Sequence, residues 1–275
     1  MLFNCNKFEM LRYGSEEDIK ISTNYLTPDC EDLIERKETL RDLGVIMNEK
    51  GTFTNHIQHV CSKVIQKSSW ILRTFQSRDI QFMKFMWKTL IQGHIDYCSQ
   101  LYLPIDSSNL QLIENLQKSF TKKIPAIRHL NYWERLKTLK MYSQQRRLER
   151  YRILYTWKIL EGLVPNCGIV VQQSDRRGRE VQLPPLQGKQ AVRSLREQSF
   201  QVQGPKLFNS LPKNIRTIRK VSVEAFKEKL DICLQMLPDE PNVGGLTPSA
   251  CNIFSAAPSN SILDQVRMSN RRPGN

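Results

Sequence analysis

The sequence predicts a mainly α fold, and three observations predict it. Apolar residues recur with the 3.6-residue period of a helix through most of residues 54–162. Polar capping residues and helix-stopping glycines and prolines punctuate that stretch at helix-length intervals. Strand-like patterning is confined to the first fifty or so positions, where turn residues interrupt short apolar runs. The expected organisation is a short α/β segment with a β-hairpin over 1–52, a helical bundle over 53–162 and a connector over 163–204. A small helical unit over 205–237 and a flexible tail over 238–275 complete it.

In the first segment, 19–26 is β-leaning and 40–47 is a second apolar run. Asn48-Glu49-Lys50-Gly51 then reads as a turn, with Gly51 suited to positive φ. In 55–75, one helix face collects Ile57, Val60, Cys61, Val64, Ile65, Ile71, Leu72 and Phe75. In 80–101, Phe82, Met83, Met86, Trp87, Leu90, Ile91, Tyr97 and Cys98 cover one side, leaving Lys84, Lys88, Gln92 and Asp96 to face away. Gly93 falls on the apolar side, where a missing side chain permits close helix approach. Ser108 and Gln111 form a capping box for a third helix with the stripe Leu112, Ile113, Leu116, Phe120 and Ile124. Asn131 with Glu134 starts a fourth. A fifth runs from about Ser143 to Glu161, ended by Gly162 and Pro165. Residues 163–204 show little periodicity, and 175–179 should be exposed. Ser222 caps a last helix bearing Val223, Phe226, Leu230 and Leu234.

Composition bounds the function. Hydrophobic residues make up 40% of the chain, enough to build a core. Lys and Arg number 41 against 27 acids, a net charge of +14. An excess of that size points to a polyanionic partner, most often nucleic acid. No apolar run approaches the ~18 residues that span a bilayer, so no membrane partner is expected. The N-terminal residues do not read as a signal peptide. The seven Cys are widely spaced, without a C-x-x-C pair. That pattern fits reduced thiols in the nucleus or cytoplasm and not a disulfide frame or zinc site.

An ordered set of local patterns narrows the reading. Phe3-Asn4-Cys5-Asn6-Lys7, then Leu11-Arg12-Tyr13-Gly14, then Leu40-Arg41-Asp42-Leu43-Gly44-Val45 occupy the start. His56-Ile57 and Lys63, Ile71 to Arg78, His94-Ile95-Asp96-Tyr97-Cys98-Ser99 and Leu116-Gln117-Lys118-Ser119-Phe120-Thr121 follow. Arg135-Leu136, Leu139, Arg146-Arg147, Lys206 to Pro212 and Ser222 to Lys227 complete the series. In order and spacing this series resembles the C-terminal part of non-LTR (LINE-type, jockey-like) retrotransposon reverse transcriptases. The resemblance implies a palm remnant with the primer-grip hairpin at 40–45, a helical thumb, and a C-terminal extension. It implies an RNA template or RNA–DNA hybrid as partner, and Mg²⁺ as the parent family's cofactor. A separate chain supplying the palm is a further partner it allows.

The catalytic chemistry of that family is not legible in these residues. Polymerases hold two Mg²⁺ ions on aspartates, two of them adjacent in a turn between apolar strands. This sequence has no Asp-Asp pair. Its adjacent acids, Glu16-Glu17-Asp18, Glu31-Asp32 and Asp239-Glu240, read as solvated loop acids, and the chain is expected to start just downstream of the catalytic hairpin. No catalytic residue is assigned, and the chain alone is expected not to polymerise. His56 and His59 are spaced to share a helix face, but no third ligand is evident nearby, so no metal site is assigned. His94 and His129 read as structural or surface residues. The candidate nucleic-acid contacts are Arg146, Arg147 and Arg150 on one arc of the fifth helix. Lys118, Lys122, Lys123 and Arg128 near the end of the third, and Lys63 and Arg73, with Lys67, on the exposed side of the first, join them. Trp70, Trp87, Trp133 and Trp157 read as core residues. The competing readings are a helical protein-interaction module and a pseudogene-like remnant.

Overall fold

The computed structural model describes residues 8–13, 25–26, 33–102, 107–174, 178–188, 190–243 and 260–271. The protein is mainly helical, as its periodicity predicts. Most of the β-leaning run 19–26, the segment 3–7, Glu16-Glu17-Asp18 and Glu31-Asp32 lie outside the described residues.

Two short strands open the chain: β1 (Glu9–Met10) pairs in parallel with β2 (Glu35–Arg36). A true hairpin follows, β3 (Thr39–Asp42) against β4 (Val45–Asn48). Its two-residue turn is Leu43-Gly44, both at positive φ (44° and 88°), the primed geometry that matches strand twist. Glycine tolerates this freely; Leu43 holds it against its Cβ. Because Asp42 and Val45 flank the turn, Arg41 and Ile46 form the next pair, whose backbone groups face outward. The outward Ile46 N–H donates to His56 Nδ1 at 3.4 Å, and Tyr97 OH donates to Leu43 O at 2.7 Å. Val45 is buried, and the turn end of the hairpin is fastened to His56 and Tyr97.

Gly51, at φ 67°, closes the turn that launches α1 (Thr54–Thr74). α1 buries Ile57, Val60, Cys61, Val64 and Ile71, while Ile65 points outward. α2 (Ile80–Met86), capped by Asp79, continues through a π turn at Trp87–Ile91 into α3 (Gln92–Asp96). The π turn inserts one extra residue, which rotates everything beyond it by about a quarter turn. This corrects three expectations. Gln92 and Asp96 turn inward, Tyr97 is exposed, and Gly93 faces open space instead of a neighbouring helix. The close approach occurs at Gly204, where an added Cβ would meet Thr156 Oγ1 at 2.7 Å.

After α4 (Ser99–Tyr102) come α5 (Ser107–Thr121), a 3₁₀ turn at Pro125–Ile127 and α6 (Tyr132–Leu139). Asn131 and Glu134 form the expected capping box of α6. In α5, Leu112 is exposed, and Glu114 and Gln117 occupy the buried stripe with Ile113 and Phe120. α7 (Gln144–Leu160) is capped by Ser143 and stopped by Gly162 at φ 71°. The supposed connector is ordered structure. β5 (Val170–Ser174) and β6 (Gly178–Gln182) form a second hairpin, followed by α8 (Gln190–Gln198), α9 (Phe200–Ser210) and α10 (Lys213–Arg216). Within 175–179, Asp175, Arg176 and Arg177 are outside the described residues. Arg179 is not exposed, as expected from sequence, but buried on Glu161 at 2.6 Å. α11 (Val223–Gln235) is capped by Ser222. In the expected tail, α12 (Ile262–Arg271) packs Ile262 into the core.

Two large apolar clusters and a small third one, of Tyr132, Trp133, Leu136 and Val243, hold these elements. The first gathers α1 to α5, with Trp87 against Phe120. The second gathers the later turns of α7 with β6, α9, α10, α11 and Ile262. Trp157 stacks on Phe226 there, with ring centroids 4.3 Å apart. α7 gives Leu148 to the first cluster and Ile153, Leu154, Trp157 and Ile159 to the second. The expected boundary at 162 is therefore not a break: one helix is shared by both halves.

Candidate nucleic-acid interface

The shared helix settles the fate of its arginines. A helix buried on most of its circumference has no free arc to offer a ligand. Arg146 is 0% exposed, and its guanidinium donates to the carbonyls of Pro238 (2.6 Å), Asn260 (3.3 Å) and Leu234 (3.5 Å). It ties α11 and the start of α12 to α7. Arg147 clasps Asp96 with two guanidinium nitrogens, the shorter contact 2.7 Å, and Tyr151 OH completes the cluster at 3.1 Å from the same carboxylate. Arg150 clasps Asp231 in the same forked way, with Nη2 at 2.7 Å. The expectation that Arg146, Arg147 and Arg150 form a phosphate-contacting arc is corrected. One is buried on carbonyls, and the other two already have carboxylates.

Carboxylates line the start of the same helix. Glu114 is fully buried beneath it and accepts from Tyr132 OH (2.5 Å) and from the Gln144 N–H (2.9 Å). Burial pushes its carboxyl up to about 7, although these hydrogen bonds and the helix N-terminus oppose that rise. Glu149 accepts from the Ile262 N–H at 2.7 Å and is also raised to about 7, again chiefly by burial. Asp239 spends its oxygens on Ser143 and Asn260. The Mg²⁺ that the resemblance implies needs several carboxylates free to converge. Among the described residues, no group of three or more His, Cys, Asp or Glu could hold a metal ion.

The other candidates fare differently. α5 ends at Thr121, and the 3₁₀ turn at Pro125–Ile127 bends the chain back. The bend brings Lys122, Lys123, Arg128 and His129 around one open concavity of about 530 Å³, with no carboxylate in its wall. All four side chains are exposed, and none has an acidic partner among the described residues. Lys118 is half-buried and stands outside that lining.

On α1, Lys63 stands at the junction of two adjoining cavities, of about 200 and 400 Å³, that it and His94 both line. The larger runs along Gln66 and Lys67 to Trp70. Trp70 is 43% exposed, with Lys67 Nζ 5.8 Å from its ring centroid, so it leaves the core to which the sequence assigns it. Trp87, Trp133 and Trp157 are buried as expected. Arg73 is exposed in the last turn of α1, outside both linings.

Sequence reasoning placed Lys67 with Lys63 on the exposed side of α1 but missed Arg41, Trp70 and His94 as parts of this groove. Lys63 and Lys67 are one helical turn apart, with Trp70 three residues further on, a signal that was available. The meeting of His94 with His56 was not, because it depends on the fold. No family model matches the chain, and no curated protein or solved structure does.

Proposed function

We propose that this chain is a nucleic-acid-binding segment of the non-LTR retrotransposon reverse-transcriptase type, a thumb-like bundle that holds the backbone of a template–primer hybrid without polymerising on its own. The observation that carries the reading is the concavity of Lys122, Lys123, Arg128 and His129, a concentrated positive field with no acid in its wall. The α1 groove adds to it, with three further cations and an exposed Trp70 suited to stacking on a base. Such surfaces recognise phosphate without reading sequence. The absence of an Asp-Asp pair supports the non-catalytic part of the reading.

The test is anisotropy of a labelled RNA–DNA hybrid across a salt series. Replacing Lys122, Lys123 and Arg128 with Gln should flatten the log K against log salt slope by about two to three units, one counterion per charge. An unchanged slope overturns the reading. In primer extension with Mg²⁺ or Mn²⁺, the chain should incorporate nothing; incorporation abolished by mutating one of its acids overturns the second half.

A further inference from the structure

The smaller of the α1 cavities is built differently from the open groove beside it. Its walls come from three elements: Arg41 and the Leu43-Gly44 turn of the hairpin, His56, His59 and Lys63 of α1, and His94 and Tyr97 at the end of α3. The walls are fixed. Tyr97 OH pins the turn through Leu43 O, and the Ile46 N–H holds the His56 ring.

His56 is buried, and its Nδ1 accepts that backbone N–H. The ring proton of a neutral His56 therefore sits on Nε2. Nε2 is buried and has no hydrogen-bond partner, and the same is true of His59 Nε2. A buried donor without an acceptor is costly, on the order of 1–3 kcal/mol. His56 carries such a donor, and the His59 Nε2, equally unpartnered, belongs to the same lining as Arg41 and Lys63, which holds no carboxylate. What the cavity lacks is a negatively charged acceptor. Its volume of about 200 Å³ is below the usual range for drug-sized ligands, so the acceptor must be small.

We infer that this cavity is a phosphate-binding site, in which Arg41 and Lys63 supply charge and His56 and His59 donate from Nε2. The inference extends the nucleic-acid reading but does not depend on it, because free oxyanions probe the cavity directly. The phosphate can be a backbone phosphodiester or a terminal or free phosphomonoester. Occupancy should also be sensitive to pH. The charged groups facing the three imidazoles are Arg41 from the hairpin and Lys63 and Lys67 from α1. Of the acids close in sequence to the lining, Asp96 is held by Arg147, while Asp42, next to Arg41, lies outside the lining and its charge is felt at Tyr97. Burial, then these cations, hold all three histidines below their ordinary value. An entering anion reverses the second effect, so binding should take up protons and tighten as pH falls.

The experiment uses the full chain with ¹⁵N-labelled histidines, titrated with sulfate, which does not itself titrate near neutrality, and with inorganic phosphate. Sulfate should shift the Nε2 resonances of His56 and His59, and those shifts should persist in K122Q/K123Q/R128Q, which removes the charge of the other concavity. Its affinity should rise as pH falls below the ordinary imidazole value of about 6.5, since these histidines are held beneath it. The double variant R41Q/K63Q, at two exposed positions, should keep its melting temperature and lose about tenfold in sulfate affinity. Unmoved Nε2 resonances of His56 and His59, an unchanged affinity in R41Q/K63Q, or no dependence on pH would each overturn the site. A single-stranded oligonucleotide with and without a 5′-phosphate separates the sources. Tighter binding and larger His56 shifts with the 5′-phosphate support the phosphomonoester; equal shifts support the phosphodiester. The variant K122Q/K123Q/R128Q should bind sulfate here normally even where it loses the hybrid, so failure of one surface does not imply failure of the other.

Discussion

α1 and α7 both carry several cations and use them in opposite ways. On α7, Arg146, Arg147 and Arg150 face carbonyls or carboxylates of neighbouring elements, and their charge is spent inside the molecule. On α1, Lys63 and Lys67 face cavities whose walls hold no acid, and their charge remains available. The division follows side-chain chemistry. Arginine's planar fork suits fixed carboxylates and carbonyls in tight quarters, while lysine's hydrated ammonium favours open faces. The number of positive charges on a helix therefore says little about ligand binding until the acids of its neighbours are placed.

The sharpest way to break this comparison is R146M. Removing the guanidinium strands three carbonyls in a dry site and should cost about 3 kcal/mol or more in urea unfolding, while leaving the salt dependence of hybrid binding as it is. A mild cost with a flattened salt slope would move Arg146 to the ligand side. Next comes the Arg150–Asp231 clasp, which is partly open to solvent. A double-mutant cycle with R150Q and D231N should give a coupling of about 1–2 kcal/mol in stability, discounted for that exposure.

A smaller effect concerns Glu114. Its folded value of about 7 lies above the ordinary carboxyl range, so the folded state binds its proton more tightly than the unfolded state does. Stability contributed this way is complete below the unfolded value and is lost as pH rises through about 7. Thermal melts should therefore fall between mildly acid and mildly alkaline buffer, and E114Q should flatten that fall. A profile that rises with pH in the wild type would show that the hydrogen bonds from Tyr132 and Gln144 outweigh burial. The smallest stability effect belongs to K122Q/K123Q/R128Q, within about 0.5 kcal/mol of wild type because nothing packs on those side chains. A large loss would place them with the α7 arginines.

Local signals were read well from sequence. The caps at Asn131 and Ser222, the Gly162 stop and the Gly51 turn depend only on nearby residues, and each stands where expected. So does the apolar stripe of α1, Ile65 apart, whereas Ser108, read as a cap, lies inside α5. The failures share one cause, dependence on distant partners. The arc through Arg146, Arg147 and Arg150 is real, but Asp96, Asp231 and the carbonyls that meet it lie dozens of residues away in the chain. Glu114 and Gln117 were invisible as core residues because a buried polar group is recognisable only by its partners. The hairpin at 170–182 was hidden because Asn209 docks it, gripping the Val181 backbone at both N–H (2.9 Å) and C=O (2.8 Å).

The π turn at Trp87–Ile91 has a consequence for how this chain tolerates changes in length. A π turn is one residue longer than the helix it interrupts, so it marks a place where a single-residue deletion leaves an unbroken α-helix. Deleting Thr89 would therefore be forgiven by the backbone and by the preceding side chains. It would not be forgiven downstream, where Gln92 would swing away from the Trp87 indole and from Gln144, and Asp96 away from Arg147 and Tyr151. The surplus residue serves as a register key between the two halves of the molecule. Lineages of this sequence that lose it should also lose the acid at 96 or the arginine at 147, since neither is of use without the other.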